Sequence, residues 1–206
     1  MKVLIPYRAE KTKSSLSAIF DEKERKKLSE LMLWEISKAI TKLDSYIVSP
    51  DFEKNLDSYK IYKSPIRLNK ALNDAIEHLE LPVLILPSDI PLIKKEDIDN
   101  ILGFEEDIVI SPGERKGTNA LLLRKKIPLN YSGKSFPKHL NAAKESPHSY
   151  SIYRSKNIYK DLDKLSDIKK ITKELPKQSE LKKWLCQLPL PNQGLGRGLK
   201  ESLIEE

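Results

Sequence analysis

Short apolar runs alternate with longer amphipathic segments along the chain. KVLI at 2–5, LPVLILP at 81–87 and DIVISP at 107–112 are almost wholly apolar, which is typical of strands buried on both faces. Further strands are predicted at 45–50, 60–65, 119–124 and 148–154. The last of these alternates apolar with polar residues, so it is expected nearer the edge of the sheet.

Helical periodicity separates the predicted strands. It is strongest over 21–43, where Asp21 followed by Glu24 predicts a capping box. Other helices are predicted at 69–81, with Asn69 as N-cap, and at 94–103, 134–145 and 163–175. Strands that alternate with helices predict an α/β fold with a mostly parallel central sheet and helices on both faces.

Composition fits one domain of ordinary size. The chain has 206 residues, of which 39% are hydrophobic. We assign residues 1–185 to this domain and residues 186–206, where proline and glycine cluster, to a C-terminal extension. The lone Cys186 predicts a free thiol. Neither a signal-peptide core nor an apolar stretch of membrane-spanning length is present, so we expect a cytoplasmic protein without a membrane partner.

The net charge of +7 favours anionic partners, which include nucleotides, phosphorylated metabolites and nucleic acid. Aromatic residues make up 7% of the chain and form no cluster among basic residues, which argues against a nucleic-acid partner. A basic, non-catalytic nucleic-acid-binding protein is nevertheless the alternative from another functional class, and charge alone does not decide against it.

Candidate chemistry lies just after the predicted strands. In an open parallel sheet, ligands bind beyond the carboxyl ends of the strands. Arg8, Lys11 and Lys13 follow the first strand, Asp89 follows 81–87, and Thr118 follows the loop after 107–112. Cations near a carboxylate indicate a site for phosphate and a metal ion. The alternatives are a solvated charge run and, for Asp89 in SDIP, an ordinary turn residue.

A second acidic segment could complete such a site. Asp161 and Asp163 have the spacing that places alternate residues on one side of an extended segment. They could bind a metal ion together with Asp89. The alternative is that Asp163 caps the helix at 163–175, with Asp167 in its first turn.

Gly133-Lys134-Ser135 resembles the end of a P-loop, but Pro128 stands where that motif requires glycine. We therefore interpret 132–135 as a turn into a helix whose N-terminus favours an anion. His139 lies one turn into this helix. It could face the same pocket, and a position on the helix surface is at least as plausible.

These segments resemble one family. SDIPLI, SPGERKGTNALLLR, YSGKSFPKHLNAAKE and KDLDKLSDI occur in the order and spacing found in the 2-phospho-L-lactate guanylyltransferases, as do IPYRAEKTKSSLS and RLNKALNDAIEHL. GTNALLL joined to the SF-x-x-HL helix is the most specific part. The resemblance implies a Rossmann-like nucleotidyltransferase fold of the glycosyltransferase-A type. It also implies transfer of GMP from GTP to 2-phospho-L-lactate in the biosynthesis of coenzyme F420. Phosphoenolpyruvate or 3-phosphoglycerate is the alternative acceptor.

The resemblance also implies roles for individual residues. Mg²⁺ is the expected cofactor, and GTP and a small phosphorylated three-carbon acid are the expected partners. A homodimer is left open. The implied catalytic residues are Lys13 and Asp89; the implied metal ligands are Asp89, Asp161 and Asp163; the implied nucleotide-binding residues are Arg8, Lys11, Lys13 and Asn69; the implied acceptor-binding residues are Thr118, Ser132, Gly133 and Ser135.

Two positions depart from the family pattern. Ser15 stands where the family usually has arginine, and Arg8 or Lys11 could replace that phosphate contact. Ser132 stands where the family usually has glycine, and Gly133 follows it directly.

Overall fold

The computed structural model describes residues 1–8, 13–52, 59–65 and 67–188. Its sheet is formed by β1 (Lys2–Pro6), β2 (Asp44–Ser49), β3 (Lys60–Lys63), β4 (Val83–Ile85), β5 (Ile108–Pro112), β6 (Thr118–Leu123) and β7 (Tyr150–Ile152). The strand order is β3-β2-β1-β4-β6-β5-β7. β6 pairs antiparallel with β4 and β5, and the other pairings are parallel. The predicted mostly parallel sheet is therefore confirmed, with β7 at an edge.

The helices are α1 (Glu22–Ala39), α2 (Leu68–Leu79), α3 (Lys95–Leu102), α4 (Ser135–Glu145), α5 (Lys156–Tyr159), α6 (Leu165–Glu174) and α7 (Glu180–Gln187). A 3₁₀ turn spans Ser14–Leu16. The sequence patterns predicted α1, α2, α3, α4 and α6. They did not predict α5, α7 or the 3₁₀ turn. The helix α5 and the 3₁₀ turn span only 4 and 3 residues, which is too short to show periodicity.

Two core clusters cover the two faces of the sheet. Strand residues alternate between them, so Val3 and Ile5 pack with residues of α1 and α3, whereas Leu4 packs with residues of α2 and α4. A third cluster joins the outer side of α1 to α6 and α7 through residues such as Leu28, Ile168 and Leu181. Helices on both faces, as predicted, follow from strands that are apolar at nearly every position.

Two predicted helix starts had different outcomes. At α1, Asp21 Oδ1 accepts from the Glu24 N–H and Glu24 Oε2 accepts from the Asp21 N–H, each over 2.8 Å, so the capping box is confirmed. At α2 the N-cap is Arg67, and the prediction of Asn69 as the cap is wrong. Asn69 lies inside the first turn, and its Oδ1 accepts from the Tyr131 N–H over 2.8 Å. The Asn69 side chain, which was predicted to cap α2, is instead used in this contact with a distant part of the chain.

The carboxyl ends of β4, β5 and β7 lie at one edge of the sheet because these three strands run in the same direction, and the antiparallel β6 begins at that edge. The β5–β6 turn is closed by the Gly113 N–H, which donates to the Gly117 carbonyl over 2.8 Å. Thr118, at the start of β6, therefore lies at the sheet edge where β4 and β5 end. The antiparallel strand thus places the acceptor residues and the acidic residues predicted from the sequence at one edge of the sheet.

Candidate active site

Asp89 lies beyond the carboxyl end of β4, beside the second acidic segment. The Leu162 N–H donates to the Asp89 carbonyl over 2.9 Å, which holds Asp161 and Asp163 next to the turn. Two further contacts fix the same segment. Asn119 Nδ2 donates to the Ile158 carbonyl over 2.8 Å, and the Glu114 N–H donates to the Tyr159 carbonyl over 2.8 Å. The β5–β6 hairpin and the β4 turn together position the acids.

Lys13 stands between two of these carboxylates. Its Nζ lies 2.9 Å from Asp89 Oδ2 and 2.6 Å from Asp163 Oδ1, and its side chain is only 9% exposed. Burial acts to lower the pKa of Lys13, but the two carboxylates outweigh it and the pKa is raised. Burial likewise acts to raise the pKa of Asp163, and Lys13 outweighs it, so that pKa is lowered. Lys13 therefore carries its charge at neutral pH.

The backbone of Lys13 is left-handed, with φ of 48°. A non-glycine residue adopts this conformation at a cost, and such residues concentrate at functional sites. At Lys13 this conformation precedes the 3₁₀ turn, and the Ser15 hydroxyl in that turn donates to the Asp163 carbonyl over 2.7 Å. Ser15 thus links the 3₁₀ turn to the acidic segment.

Asp161 is the most perturbed of the acids. Burial raises its pKa to about 6, the charge of Asp89 adds to the rise, and Arg115 opposes it. Arg115 Nη1 lies 3.0 Å from Asp161 Oδ2, and Arg115 also forms an ion pair with the buried Asp167. Asp161 Oδ1 is buried without a hydrogen-bond partner among the described residues. A buried carboxylate oxygen in this condition is costly unless a cation or a ligand satisfies it.

This donor set fits a divalent cation bound jointly with substrate. Within residues 1–8, 13–52, 59–65 and 67–188, no three His, Cys, Asp or Glu side chains are grouped closely enough to hold a metal ion by themselves. Mg²⁺, however, commonly takes one or two carboxylates and completes its shell with water and substrate phosphates. The unpartnered oxygen of Asp161 and the neighbouring Asp89 meet that requirement. The metal assignment remains a prediction.

The alternative for Asp163 as a helix cap is wrong. The N-cap of α6 is Lys164, and Asp167 in the first turn accepts from the N–H groups of Asp163 and Lys164 over 3.0 and 2.7 Å. Asp167 is thus in the first turn, as expected, and it leaves the Asp163 side chain available to Lys13.

The predicted acceptor residues Thr118 and Ser135 are in direct contact. The Thr118 N–H donates to Ser135 Oγ over 2.8 Å, and Thr118 Oγ1 lies 2.8 Å from His139 Nδ1. All three residues are buried, and His139 is fully so. The idea that His139 lies on the helix surface is therefore wrong, and the alternative that it faces the same pocket as Ser135 is supported.

The loop before α4 carries the other two predicted acceptor residues, and both are exposed. Ser132 Oγ donates to Asn130 Oδ1 over 2.5 Å, and Lys138 Nζ donates to the Ser132 carbonyl over 2.7 Å. Gly133 has φ of 60°, and a Cβ there would meet nothing within 4 Å. Glycine is therefore favoured at this position by its backbone conformation and not by lack of space. This exposed glycine directly follows the serine that replaces the family glycine.

The predicted nucleotide-binding residues are only partly described. Arg8 is exposed and lines a cavity of about 220 Å³ together with Tyr7, Val48, Ser64 and Leu68. Ser64 Oγ is buried there without a partner in the described part of the chain. Lys11 lies outside the described residues. Asn69 is not among the residues that line the cavity, and its Oδ1 accepts from the Tyr131 N–H.

Two residues of the site were missed by sequence reasoning. Arg115 was interpreted only as part of a polar loop, and Asn119 as a strand residue. A cation within a short loop between two buried strands is a weak signal, because most such residues are solvated. Both owe their roles to partners more than 30 positions away, since Arg115 contacts Asp167 and Asn119 contacts Ile158.

A family model and several known proteins match most of this chain in sequence. A family model described as "Guanylyl transferase CofC like" matches residues 1–185. A 2-phospho-L-lactate guanylyltransferase from Methanocaldococcus sp. (strain FS406-22) is 41% identical over 180 residues, covering 82% of this chain and 79% of the relative. Proteins of the same name from Methanocella arvoryzae and Archaeoglobus fulgidus are 32% and 33% identical, each over 82% of this chain and over 78% and 81% of their own lengths.

Solved structures share the fold at low sequence identity. A putative nucleotide-diphospho-sugar transferase from Desulfovibrio desulfuricans superimposes with a TM-score of 0.75 at 13% identity, over 90% of this chain and 93% of its own. The bifunctional IspDF from Campylobacter jejuni gives 0.57 at 13% identity, over 82% of this chain and 53% of its own.

The mixed sheet and the structural neighbours show the nucleotide-diphospho-sugar transferase fold, the Rossmann-like fold that the family resemblance implies. One edge of that sheet carries Asp89, Asp161 and Asp163, with Lys13 paired to the first and the last of them. Within this fold, the chain belongs to the CofC-like guanylyl transferase family, because the family match and relatives above 30% identity cover most of its length. No helix in the described residues is long and apolar enough to cross a membrane.

Proposed function

We propose that this protein transfers GMP from GTP to 2-phospho-L-lactate, which yields lactyl-2-diphospho-5'-guanosine and pyrophosphate in the biosynthesis of coenzyme F420. The observation that carries the proposal is the family match over residues 1–185, which includes the whole Lys13–Asp89–Asp161–Asp163 cluster. The relatives named for this activity support the substrate, and the sheet-edge cluster supports the chemistry.

The reaction needs charge control more than proton transfer. The attacking group is a phosphate oxygen, which is already largely ionised at neutral pH because its second pKa is about 6. The protein must bring two anions together and stabilise the charge that develops at the transferred phosphoryl group. Asp161 and Asp89 would hold Mg²⁺ jointly with substrate phosphate oxygens, and the ion would supply a Lewis acid for the α-phosphate. Lys13 would hold phosphate oxygens and keep the acids from repelling one another.

Different residues at this edge of the sheet would bind the two substrates. Thr118 and Ser135 would bind the phosphorylated acid, and Ser132 and Gly133 would form the exposed wall of that site. The triphosphate would lie along the first loop near Lys13, Arg8 and Lys11. The cavity lined by Arg8, Ser64 and Leu68 would take the nucleoside. GTP as the donor makes the cytoplasm the expected location.

The acceptor is tested by pyrophosphate release from the purified protein. Each of GTP, ATP and CTP is crossed with 2-phospho-L-lactate, phosphoenolpyruvate and 3-phosphoglycerate. We expect turnover with GTP and 2-phospho-L-lactate that exceeds every other combination. A higher kcat/KM with phosphoenolpyruvate would make phosphoenolpyruvate the acceptor in place of 2-phospho-L-lactate. Absence of pyrophosphate release with every pair would reject the function.

Asp89 provides the matching test of the site. Asp89→Asn removes one charge while keeping the shape, and we expect a loss of kcat of about 100-fold or more with the thermal midpoint within a few degrees of wild type. Asp99→Asn on the exposed side of α3 is the control and should leave kcat unchanged. Near-normal turnover by Asp89→Asn would remove the role we assign to it.

A further inference from the structure

The proton on the His139 ring can be placed from its two partners. Asn130 donates its backbone N–H to His139 Nε2 over 2.9 Å. A backbone N–H can only donate, so Nε2 must be the nitrogen that carries the lone pair. The other ring nitrogen, Nδ1, lies 2.8 Å from Thr118 Oγ1.

The ring is neutral under physiological conditions. His139 is fully buried, and its ring packs edge-on against Tyr131 at 4.7 Å between centroids. Burial, with a smaller contribution from Lys138, lowers its pKa to about 4. A neutral ring whose Nε2 accepts must hold its single proton on Nδ1. That N–H then donates to Thr118 Oγ1.

Both hydroxyls of the predicted acceptor site, those of Thr118 and Ser135, act as hydrogen-bond acceptors within the protein. Thr118 Oγ1 accepts from His139, and Ser135 Oγ accepts from the Thr118 N–H over 2.8 Å. In the described part of the chain neither hydroxyl donates to a protein acceptor, although each residue is only 3% exposed. Two buried O–H donors without acceptors are satisfied best by an anionic oxygen, which can only accept.

We propose that His139 is a positioning residue that, by donating from Nδ1, turns the Thr118 hydroxyl into a donor, so that Thr118 and Ser135 together grip an anionic oxygen of the phosphorylated acid. This inference rests on the proposed function for the identity of the ligand. It adds a basis for selectivity, because an acceptor analogue that presents a donor at this point leaves both hydroxyls unpaired.

Two substitutions separate this role from a structural one. In His139→Asn the side-chain amide can occupy the place of Nδ1 and donate to Thr118, while the contact with Asn130 is lost. In His139→Gln the longer side chain can present its oxygen at the place of Nε2 and accept from Asn130, while the donor to Thr118 is lost. His78→Gln, on a side chain that is 65% exposed on α2, is the matched control.

We expect His139→Gln to raise KM for 2-phospho-L-lactate about tenfold or more, with KM for GTP unchanged. We expect His139→Asn to keep KM for the acceptor within about threefold of wild type while lowering the thermal midpoint. Equal increases of acceptor KM in both variants, or an increase that follows the loss of stability, would reduce His139 to a structural residue.

A measurement on the wild-type protein tests the proton directly, even if a variant fails to fold. Long-range ¹H–¹⁵N correlation spectra distinguish protonated from unprotonated ring nitrogens, and the chain has three histidines to resolve. Nδ1–H with bare Nε2 at pH 7 supports the inference, and Nε2–H or a doubly protonated ring overturns it. Absence of pyrophosphate release by wild type would reject the proposed function instead, and would leave this tautomer result standing.

Discussion

At the scale of single residues, the site depends on charges that balance one another at short range. Lys13 is shared by Asp89 and Asp163, and Arg115 is shared by Asp161 and Asp167. Lys13 thus links two of the three predicted metal ligands, and Arg115 links the third, Asp161, to Asp167. Without these cations, the three clustered carboxylates would repel one another, and their ionised forms would be disfavoured.

Lys13→Met removes the shared cation and keeps much of the side-chain volume. We expect the free energy of unfolding to fall by about 1–3 kcal/mol, since two partly buried carboxylates lose a charged partner. We also expect kcat to fall by about 100-fold or more, because the cation that lies between the acids no longer holds phosphate oxygens. Urea unfolding and pyrophosphate release measure the two effects. Lys38→Met, which breaks the more exposed pair with Glu35, is the control; equal kcat in both variants would contradict the role of Lys13.

Asp161→Asn should make the metal-free protein more stable at neutral pH. The native pKa of Asp161 is raised from 3.8 to about 6, so between those values the native state binds more protons than the unfolded chain. Stability therefore falls as pH rises through this window, and asparagine removes the loss. We expect a gain of about 2 kcal/mol at pH 7 in EDTA, shrinking towards zero below pH 4.

The same variant should lose most of its activity, because the unpaired carboxylate oxygen is what the proposed cation would bind. Denaturation at pH 4, 5, 6 and 7 measures the effect on the free energy of unfolding, and kcat at pH 7 measures the effect on activity. A variant that is less stable than wild type at pH 7, or whose advantage grows towards acid, would contradict the assignment of the raised pKa to Asp161.

At the scale of elements, the β5–β6 hairpin supports the acidic segment. Gly113 closes the turn, and a Cβ there would lie 2.4 Å from Asn119 Oδ1. The Asn119 amide holds the Ile158 carbonyl, a few residues before Asp161. The β5–β6 hairpin thus contacts the acidic segment through Asn119. A change inside the hairpin that displaces Asn119 would therefore alter the position of the acids.

Gly113→Ala should therefore disturb the site from outside it. We expect a loss of about 1–3 kcal/mol in unfolding free energy from the displaced Asn119 side chain, together with a fall in kcat. Gly117→Ala, in the same loop, is the matched control, because its Cβ would meet Asn119 only at 3.5 Å. If the two variants behave alike, crowding at Asn119 is not the cause.

At the scale of the whole molecule, α7 ties the end of the described chain to α1. Leu181 and Leu185 are buried in the third cluster, and Ser179 Oγ donates to the buried Glu35 over 2.7 Å. The predicted boundary between 185 and 186 falls inside α7, with the free thiol of Cys186 exposed on it, as expected. The boundary itself stays a prediction, since residues 189–206 lie outside the described residues.

The prediction of a single domain can be tested by unfolding. Trp184 on α7 packs against Phe20, with ring centroids 5.9 Å apart, and reports on the third cluster. If residues 1–185 fold as one unit, tryptophan fluorescence and far-UV circular dichroism should give coincident urea transitions. Leu181→Ala should lower the unfolding free energy by about 2–5 kcal/mol by both probes, with the exposed Gln187→Ala on the same helix as the control. Separate transitions would show that the C-terminal helices unfold on their own.

Much of the fold was accessible from sequence because its signals are local. Apolar runs identified the seven strands, and Asp21 with Glu24 identified the start of α1. Asn69 failed as a cap because its amide is used by Tyr131, which lies 62 positions away in the chain. Periodicity and capping depend on neighbours in the chain, whereas a distant partner can override them.

The sequence by itself predicted the seven strands, five of the seven described helices, the family and the identity of the candidate acids. Only the tertiary structure decided that Lys13 lies between Asp89 and Asp163, which are 76 and 150 positions away from it, and that His139 faces Thr118. It also decided that Arg115 belongs to the acidic cluster. The physical reason is that hydrophobic periodicity depends on residues that are close in the sequence. The balance of charges at a site depends instead on which distant segments the folded chain brings to the same edge of the sheet.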